Sequence, residues 1–164
     1  FHELITSNGY ASGVELVKAE ALQPDPDLAK ALNVQPDELV LQSHKIFTAD
    51  GEPVIYCINT VPGWLLDPDL LDKPAAYPGL TDPLYRFLEE QCGQRVEYHV
   101  ARLRADIVRN CKVGHLLPYD PLTPMLVITE IGYNASERPV FHALEYYPGE
   151  LMTFELVRRR GLVG

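Results

Sequence analysis

The chain is poor in the residues that hold metals, disulfides or nucleic acid. Its 164 residues include three cysteines, Cys57, Cys92 and Cys111. Three is an odd number and their spacing fits no metal motif, so free thiols in a reducing cytoplasm are expected. Lysine and arginine number 14 against 23 acidic residues, a formal charge of −9. That balance excludes a surface built to grip a phosphate backbone, which demands clustered basic side chains. The one basic cluster, Arg158-Arg159-Arg160, is short, and solvation is its expected role. No apolar run approaches the roughly 18–20 residues that cross a bilayer. No basic, hydrophobic leader opens the chain, so a cytoplasmic location without membrane contact is expected. Nucleotide-binding glycine loops, a His-Glu-x-x-His helix and a Gly-x-Ser-x-Gly elbow are all missing. His2, His44, His99, His115 and His142 are scattered, and Asp67, Asp69 and Asp72 lack the spacing and glycine of a calcium loop. No metal and no cofactor is expected.

What is present is ordinary globular material, 46% hydrophobic and 23% charged, with 14 prolines punctuating it. The length suits one domain with a core of its own. The chain begins with Phe1 rather than Met and reads as a segment of a longer protein. Within it, one pattern occurs twice. Residues 53–63 are PVIYCINTVPG and residues 139–149 are PVFHALEYYPG. A polar turn precedes each block, HKIFTADGE (44–52) and TEIGYNASER (129–138). Further upstream LAKALNV (28–34) answers IVRNCKV (107–113), and VELVKAEA (14–21) answers VEYHVARL (96–103). Four matched blocks in the same order predict a pseudo-twofold fold with halves at roughly 1–66 and 83–157. Two copies are too few for a solenoid.

The local signals predict an α+β domain. A helix over residues 2–8 ends at Gly9. A strand over 14–22 precedes a short helix over 26–33, with Asp25 or Asp27 as its cap and Pro26 at an early position. Strands over 39–48 and 53–61 flank the hairpin signal Asp50-Gly51. Residues 64–81 look structureless, as a lid or a crossover would. The periodicity of PLYRFLEEQ predicts a helix over 83–91. A strand over 96–104, a short helix over 105–111, a hairpin from 125–133 and 139–147, and a last strand over 151–157 complete the expectation. About six mostly antiparallel strands would bury one face under helices, leaving room for a pocket between the two.

Side chains two apart on a strand share a face. Ser43, Lys45 and Phe47 therefore line one face of the first hairpin, and Phe141, Ala143, Glu145 and Tyr147 one face of the second. The pattern does not say which face is inward. Facing out, Lys45 and Glu145 would form a surface salt bridge worth ~0–1 kcal/mol, the simpler arrangement. Facing in, they would need partners, because uncompensated buried charge is costly, and a ligand is one such partner. Arg102 and Arg104 share a strand face in the same way.

Several runs resemble the UTRA domain of GntR-type bacterial transcription regulators, the HutC-like subfamily. They are DPDLAKALNVQPDELVLQSHKIFTADGEPVIYCINTVP (25–62), PLYRFLEEQCG (83–93) and MLVITEIGYNASERPVFHALEYYPGELMTFEL (125–156). HELITSNGY (2–10) is similar to the helix that opens such modules. The resemblance implies a chorismate-lyase-like fold and a homodimeric module that senses a small-molecule effector. DNA contact would come through a winged helix-turn-helix domain outside this chain. It also implies a binding site. Where the family commonly carries two alternate arginines that hold an anion, this chain has Lys45 and Phe47. Tyr85 stands at the tyrosine of the "s-L-Y" helix, with Pro83 at its serine, Phe141 at the glutamate of "P-v-e", and Tyr147 at the late tyrosine. Ser43, Lys45, Phe47, Tyr85, Phe141, Glu145 and Tyr147 are thus the candidate ligand-binding residues. Such a pocket is less cationic than that of a sugar-phosphate sensor. It suits a carboxylate or a partly apolar metabolite. Two alternatives stand beside this one. In the first, a chorismate-lyase-type enzyme, Lys45 neutralises a carboxylate and Glu145 moves a proton. The second is a dimerisation module whose interior is filled by Phe47 and Phe141.

Overall fold

Both Pro-Val dipeptides do the same thing to the backbone. In the computed structural model, which describes residues 1–149, 153 and 154, β2 (Val40–Ala49) turns through Asp50 and Gly51 into β3 (Glu52–Pro62). Asp50 and Gly51 have φ of 51° and 89°, the paired positive values of the two-residue turn that Asp-Gly favours. Thr48 pairs with Pro53, yet Phe47 pairs with Ile55, so Val54 is the extra residue of a bulge. The second hairpin, β5 (Pro124–Tyr133) and β6 (Pro139–Pro148), repeats the device. Tyr133 pairs with Pro139 and Gly132 with Phe141, leaving Val140 extra. A one-residue shift exchanges which side chains share a face. The bulge at Val54 puts Lys45 opposite Cys57, where an unbroken ladder would have put it opposite Tyr56.

With β1 (Ser12–Leu22) and β4 (Tyr98–Ile107), the strands form one six-stranded antiparallel sheet in the order β1-β2-β3-β6-β5-β4. Each half runs edge to centre in the same sequence, and the halves join between β3 and β6. The four echoed blocks fall at equivalent places in this topology: on β1 and β4, between each edge strand and the next, at the two hairpin turns, and on β3 and β6.

One face of the sheet is packed solid. α2 (Pro26–Leu32) is capped by Asp25, whose side chain accepts from the Leu28 N–H at 2.8 Å, a contact typically worth ~1 kcal/mol. It sets Ala29 and Leu32 against Val40. In the other half, two single-turn 3-10 segments, Val108–Asn110 and Gly114–Leu116, bring Val108, Cys111, Val113 and Leu117 onto Tyr56, Met125, Val127 and Tyr146. A helix expected over 105–111 is absent. β4 runs on to Ile107, because Ala105, Asp106 and Ile107 pair with Leu126, Met125 and Pro124. The Asp106 carboxylate then takes the Ile107 N–H and the Asn110 amide, which tightens the chain into a 3-10 turn instead.

The opposite face is covered only at its ends. α1 (His2–Ser7) buries Ile5 against Ala49, Val54, Ile55 and Tyr147. The crossover between the halves covers the other end. Residues 64–81 are not structureless: 3-10 turns at Gly63–Leu65 and Pro74–Ala76 flank the one-turn α3 (Pro68–Leu71). Leu66, Tyr77 and Leu80 from this stretch, with Phe87 and Leu88 of α4 (Leu84–Cys92), pack on Leu41, Val61, Phe141 and Ala143. Each such side chain contributes ~1.5–3 kcal/mol on burial, so the segment is built into the core and is no lid. Arg138 lies 3.4 Å over the Trp64 ring and ties the second hairpin turn to it. The strand expected over 151–157 and the cluster Arg158-Arg159-Arg160 lie outside the described residues, apart from Thr153 and Phe154.

Candidate functional site

Between α1 and the crossover the second face is hollow. A cavity of about 640 Å³ lies over the middle of the sheet. Its floor is one row across three strands: Lys45 of β2 pairs with Cys57 of β3, which pairs with Glu145 of β6. One step along lie Asn59, opposite Ser43, and Phe47, opposite Ile55. Tyr147 follows Glu145 on the same face, and Glu130 stands on β5 beside them. Of the seven residues singled out in the sequence, Lys45, Phe47, Tyr85, Phe141, Glu145 and Tyr147 line this cavity. Ser43 does not. It is buried in a small recess alongside, with Leu41, Asn59, Leu80 and Phe87.

Lys45 and Glu145 both face inward, 3% and 6% exposed, which overturns the simpler expectation of a surface salt bridge. Neither forms an ion pair among the described residues. The Lys45 ammonium donates one hydrogen bond, to the Asp82 backbone oxygen at 3.2 Å, of the three it can make. Burial lowers its pKa, against the pull of the Cys57 thiol and the Asp82 carboxylate. Asn59, 4% exposed, accepts from the Cys57 thiol through Oδ1 at 3.3 Å, and its amide nitrogen has no hydrogen bond among the described residues. Burial raises the Glu145 carboxyl to about 7, against the Tyr147 hydroxyl, which donates to Oε2 at 2.5 Å. The Tyr147 hydroxyl is in turn pushed up by burial and by the Glu145 charge. Across the mouth, Tyr85 hydrogen-bonds His99 Nδ1 at 3.1 Å, and His99 Nε2 stands 3.7 Å from Glu130.

The rest of the wall is aromatic. Phe1 lies 4.4 Å from Phe47 and 6.1 Å from Tyr147, centroid to centroid, and Phe154 lies 4.8 Å from Tyr147. Tyr85 meets Phe141 edge-on at 6.0 Å. Phe141 has room because residue 132 is glycine: a Cβ there would stand 2.0 Å from its ring. The amino end of α4 reaches the cavity through Pro83, Leu84 and Tyr85, and no side chain caps its first turn. Its free N–H groups and dipole favour an anion nearby. A mostly apolar hollow with a few convergent polar groups is what small-molecule sites look like. An interior filled by Phe47 and Phe141, as a pure dimerisation module requires, is not what the fold contains.

Sequence reasoning missed Asn59, Glu130, Thr81 and Asp82 ahead of α4, and Phe1, His2 and Leu4 at the start of the chain. Asn59 carried a signal, since it shares a face with Cys57 and Val61 on its strand. Arg102 and Arg104 lie on the solid face of the exposed edge strand, and Arg104 pairs with Asp106. Among the described residues no cluster of His, Cys, Asp or Glu could hold a metal, no helix is long and apolar enough to cross a membrane, and the cysteines are free thiols.

Known proteins agree with this architecture. No curated protein sequence matches the chain. Solved structures do. The ligand-binding domain of a putative GntR-family transcriptional regulator from Bordetella bronchiseptica superposes with a TM-score of 0.76 at 20% identity, over 90% of this chain and 92% of that one. PhnF from Mycobacterium smegmatis gives a TM-score of 0.83 at 24% identity, over 98% of this chain and 68% of that one. The isolated effector domain of PhnF gives 0.81 at 24% identity, over 95% and 92%. At these identities the likeness is one of fold. The family model named UTRA domain matches residues 7–153, and on that match the chain belongs to the UTRA domain family, as a ligand-sensing regulatory domain.

Proposed function

We propose that this chain is the effector-sensing module of a GntR-type regulator of the HutC subfamily. Its effector is a small metabolite bearing a carboxylate, with a partly apolar body. The observation that carries this reading is Lys45: a buried ammonium on the floor of a 640 Å³ cavity, with one backbone oxygen as its hydrogen-bond partner. A charge so placed costs several kcal/mol unless something answers it. A carboxylate on Lys45, the Asn59 amide and the amino end of α4 answers it. The module works as a cytoplasmic homodimer and reaches DNA through an attached winged-helix domain. Effector binding then alters DNA affinity to the extent that the ligand prefers one of two conformations.

The test is a metabolite screen by melting temperature and calorimetry, followed by Lys45→Met. A carboxylate that raises the melting temperature of the wild type, and does so at least tenfold less tightly in the variant, supports the reading. A ligand bound equally well by both sinks it.

One observation favours a catalytic alternative: a buried carboxyl near 7 is suited to proton transfer at neutral pH. Incubation with chorismate is expected to release no pyruvate. Release at an enzymatic rate, lost in Glu145→Gln, would make the chain a lyase.

A further inference from the structure

The charges in the cavity do not balance for a plain anion. One lysine, Lys45, shares the wall with the carboxylates of Asp82, Glu130 and Glu145; at the other end stand His2 and the Phe1 amino group, whose charge acts on Glu145 only after burial, the Tyr147 hydroxyl and Glu130. Asp82 stands on the Lys45 side, where its charge acts on that ammonium. Glu145 and Glu130 stand together on the far side, on the adjacent strands β6 and β5. The Lys45–Cys57–Glu145 row puts the two sides two strands apart, roughly 10 Å between backbones. Lys45 and Glu145 therefore face each other across the floor without pairing. A ligand carrying only a carboxylate would satisfy Lys45 and bring a third negative group toward Glu145 and Glu130. In a low-dielectric cavity that repulsion is felt strongly.

We propose that the effector is a zwitterion of the amino-acid class, its carboxylate on Lys45 and Asn59 and its protonated nitrogen against Glu145 and Glu130. The apolar part of the molecule lies toward Phe1, Phe47 and Phe154. This rests on the sensing function proposed above and narrows its ligand. The ligand's carboxylate then meets the buried Lys45 ammonium, and its nitrogen meets the carboxyls of Glu145 and Glu130. The Tyr147 hydroxyl, fixed on Oε2, leaves Glu145 Oε1 to take the nitrogen. Burial favours the neutral acid on Glu145, and an ammonium at hydrogen-bond distance supplies the compensation its ionised form lacks.

The experiment is a matched panel read by melting temperature and calorimetry on the whole chain. It contains the standard amino acids and their ω-amino counterparts, each beside the deaminated acid and the decarboxylated amine of the same skeleton. At least one amino acid is expected to bind, at least tenfold more tightly than its matched acid and its matched amine. Glu145→Gln should bring that preference over the acid down to about twofold or less, and Glu130→Gln should weaken it in the same direction. An acid that binds as tightly as its amino counterpart, in wild type and Glu145→Gln alike, overturns the zwitterion and leaves a carboxylate sensor standing. An amine that outbinds both, with no loss in Lys45→Met, overturns both readings. A panel with no binder at all also overturns the zwitterion, while the metabolite screen with Lys45→Met still decides the sensing function. Should Glu145→Gln fail to fold, Glu130→Gln alone must still narrow the preference.

Discussion

His44 and Lys45 are neighbours in the chain and point to opposite faces of one sheet. Both are buried and polar, and their surroundings could hardly differ more. His44 Nε2 bonds Gln42 Oε1 at 2.9 Å and Nδ1 bonds the Tyr56 hydroxyl at 2.8 Å. The Gln42 amide goes on to Thr60 Oγ1 at 3.2 Å. Since a carbonyl oxygen can only accept, Nε2 carries the proton and Nδ1 accepts from Tyr56. Each member of that network has a side-chain partner within it, the kind of connection by which buried polar groups stabilise and specify a fold. Lys45 has one backbone partner and lines a cavity. A complete network belongs to the structure. An incomplete one, at the floor of a cavity, is what the proposed effector would complete.

The largest test of this contrast is packing. Met125 is fully buried on the solid face between Tyr56, Val127 and Tyr146. Met125→Ala leaves a hole that its neighbours cannot fill and should cost ~2–5 kcal/mol. Phe47 is larger but lines the cavity and is half-buried. Phe47→Ala enlarges a space that already exists, and should cost no more than ~1–2 kcal/mol, less than its size would suggest. Urea unfolding of both variants measures the difference. Equal costs would mean that the hollow face is as tightly packed as the solid one, and that the cavity closes in solution.

The second test is acid–base and the two faces pull in opposite directions. The Glu145 carboxyl is raised from 4.5 to about 7 by burial, so the folded state holds a proton that the unfolded state has released. Stability from this group is full below about 4.5 and is lost as pH rises to about 7, a difference on the order of 3 kcal/mol. His44 is lowered from 6.5, by burial and then by the Lys18 charge. Its contribution is present above 6.5 and is lost as pH falls through that value toward the folded pKa. Unfolding free energies of the wild type minus those of Glu145→Gln, taken from pH 4.5 to 7.5, should therefore fall with pH. A flat difference would remove Glu145 from the buried floor of the cavity.

Much of this was legible before the structure. The Asp50-Gly51 signal, the repeated Pro-Val to Pro-Gly blocks and the PLYRFLEEQ periodicity each report a local property, and each located its element. The inner face of the hairpins was not legible, for a physical reason. Both faces of the central strands are covered, so β2 and β3 show no alternation of apolar and polar residues for pattern reading to use. The bulges at Val54 and Val140 then displace by one residue the pairing that turn counting gives. Ser43 was grouped with Lys45 correctly by face, yet it lies beyond the cavity, under Leu80 and Phe87. Residues 105–107 read as the start of a helix because nothing in their neighbourhood announces a β5 partner. Long-range pairing decided it, as it often does for β-branched residues.

The smallest test returns to the neighbouring pair. Tyr56→Phe keeps the ring in the solid core and removes only the hydroxyl. His44 Nδ1 is then a buried acceptor without a donor, at a cost of ~1–3 kcal/mol. Lys45→Met keeps the chain length and removes a charge whose burial is answered by one backbone contact. That replacement should be neutral or raise stability by ~1 kcal/mol in the absence of ligand. The same change should reduce the stabilisation that a given concentration of effector provides, in line with an at least tenfold weaker affinity. Opposite signs for two conservative substitutions, one on each face of one sheet, are what a structural network beside a functional void predicts. Thermal melts with and without effector read both signs at once. A Lys45→Met variant less stable than Tyr56→Phe without ligand would show that Lys45 holds the fold together, and the distinction between the faces would fail.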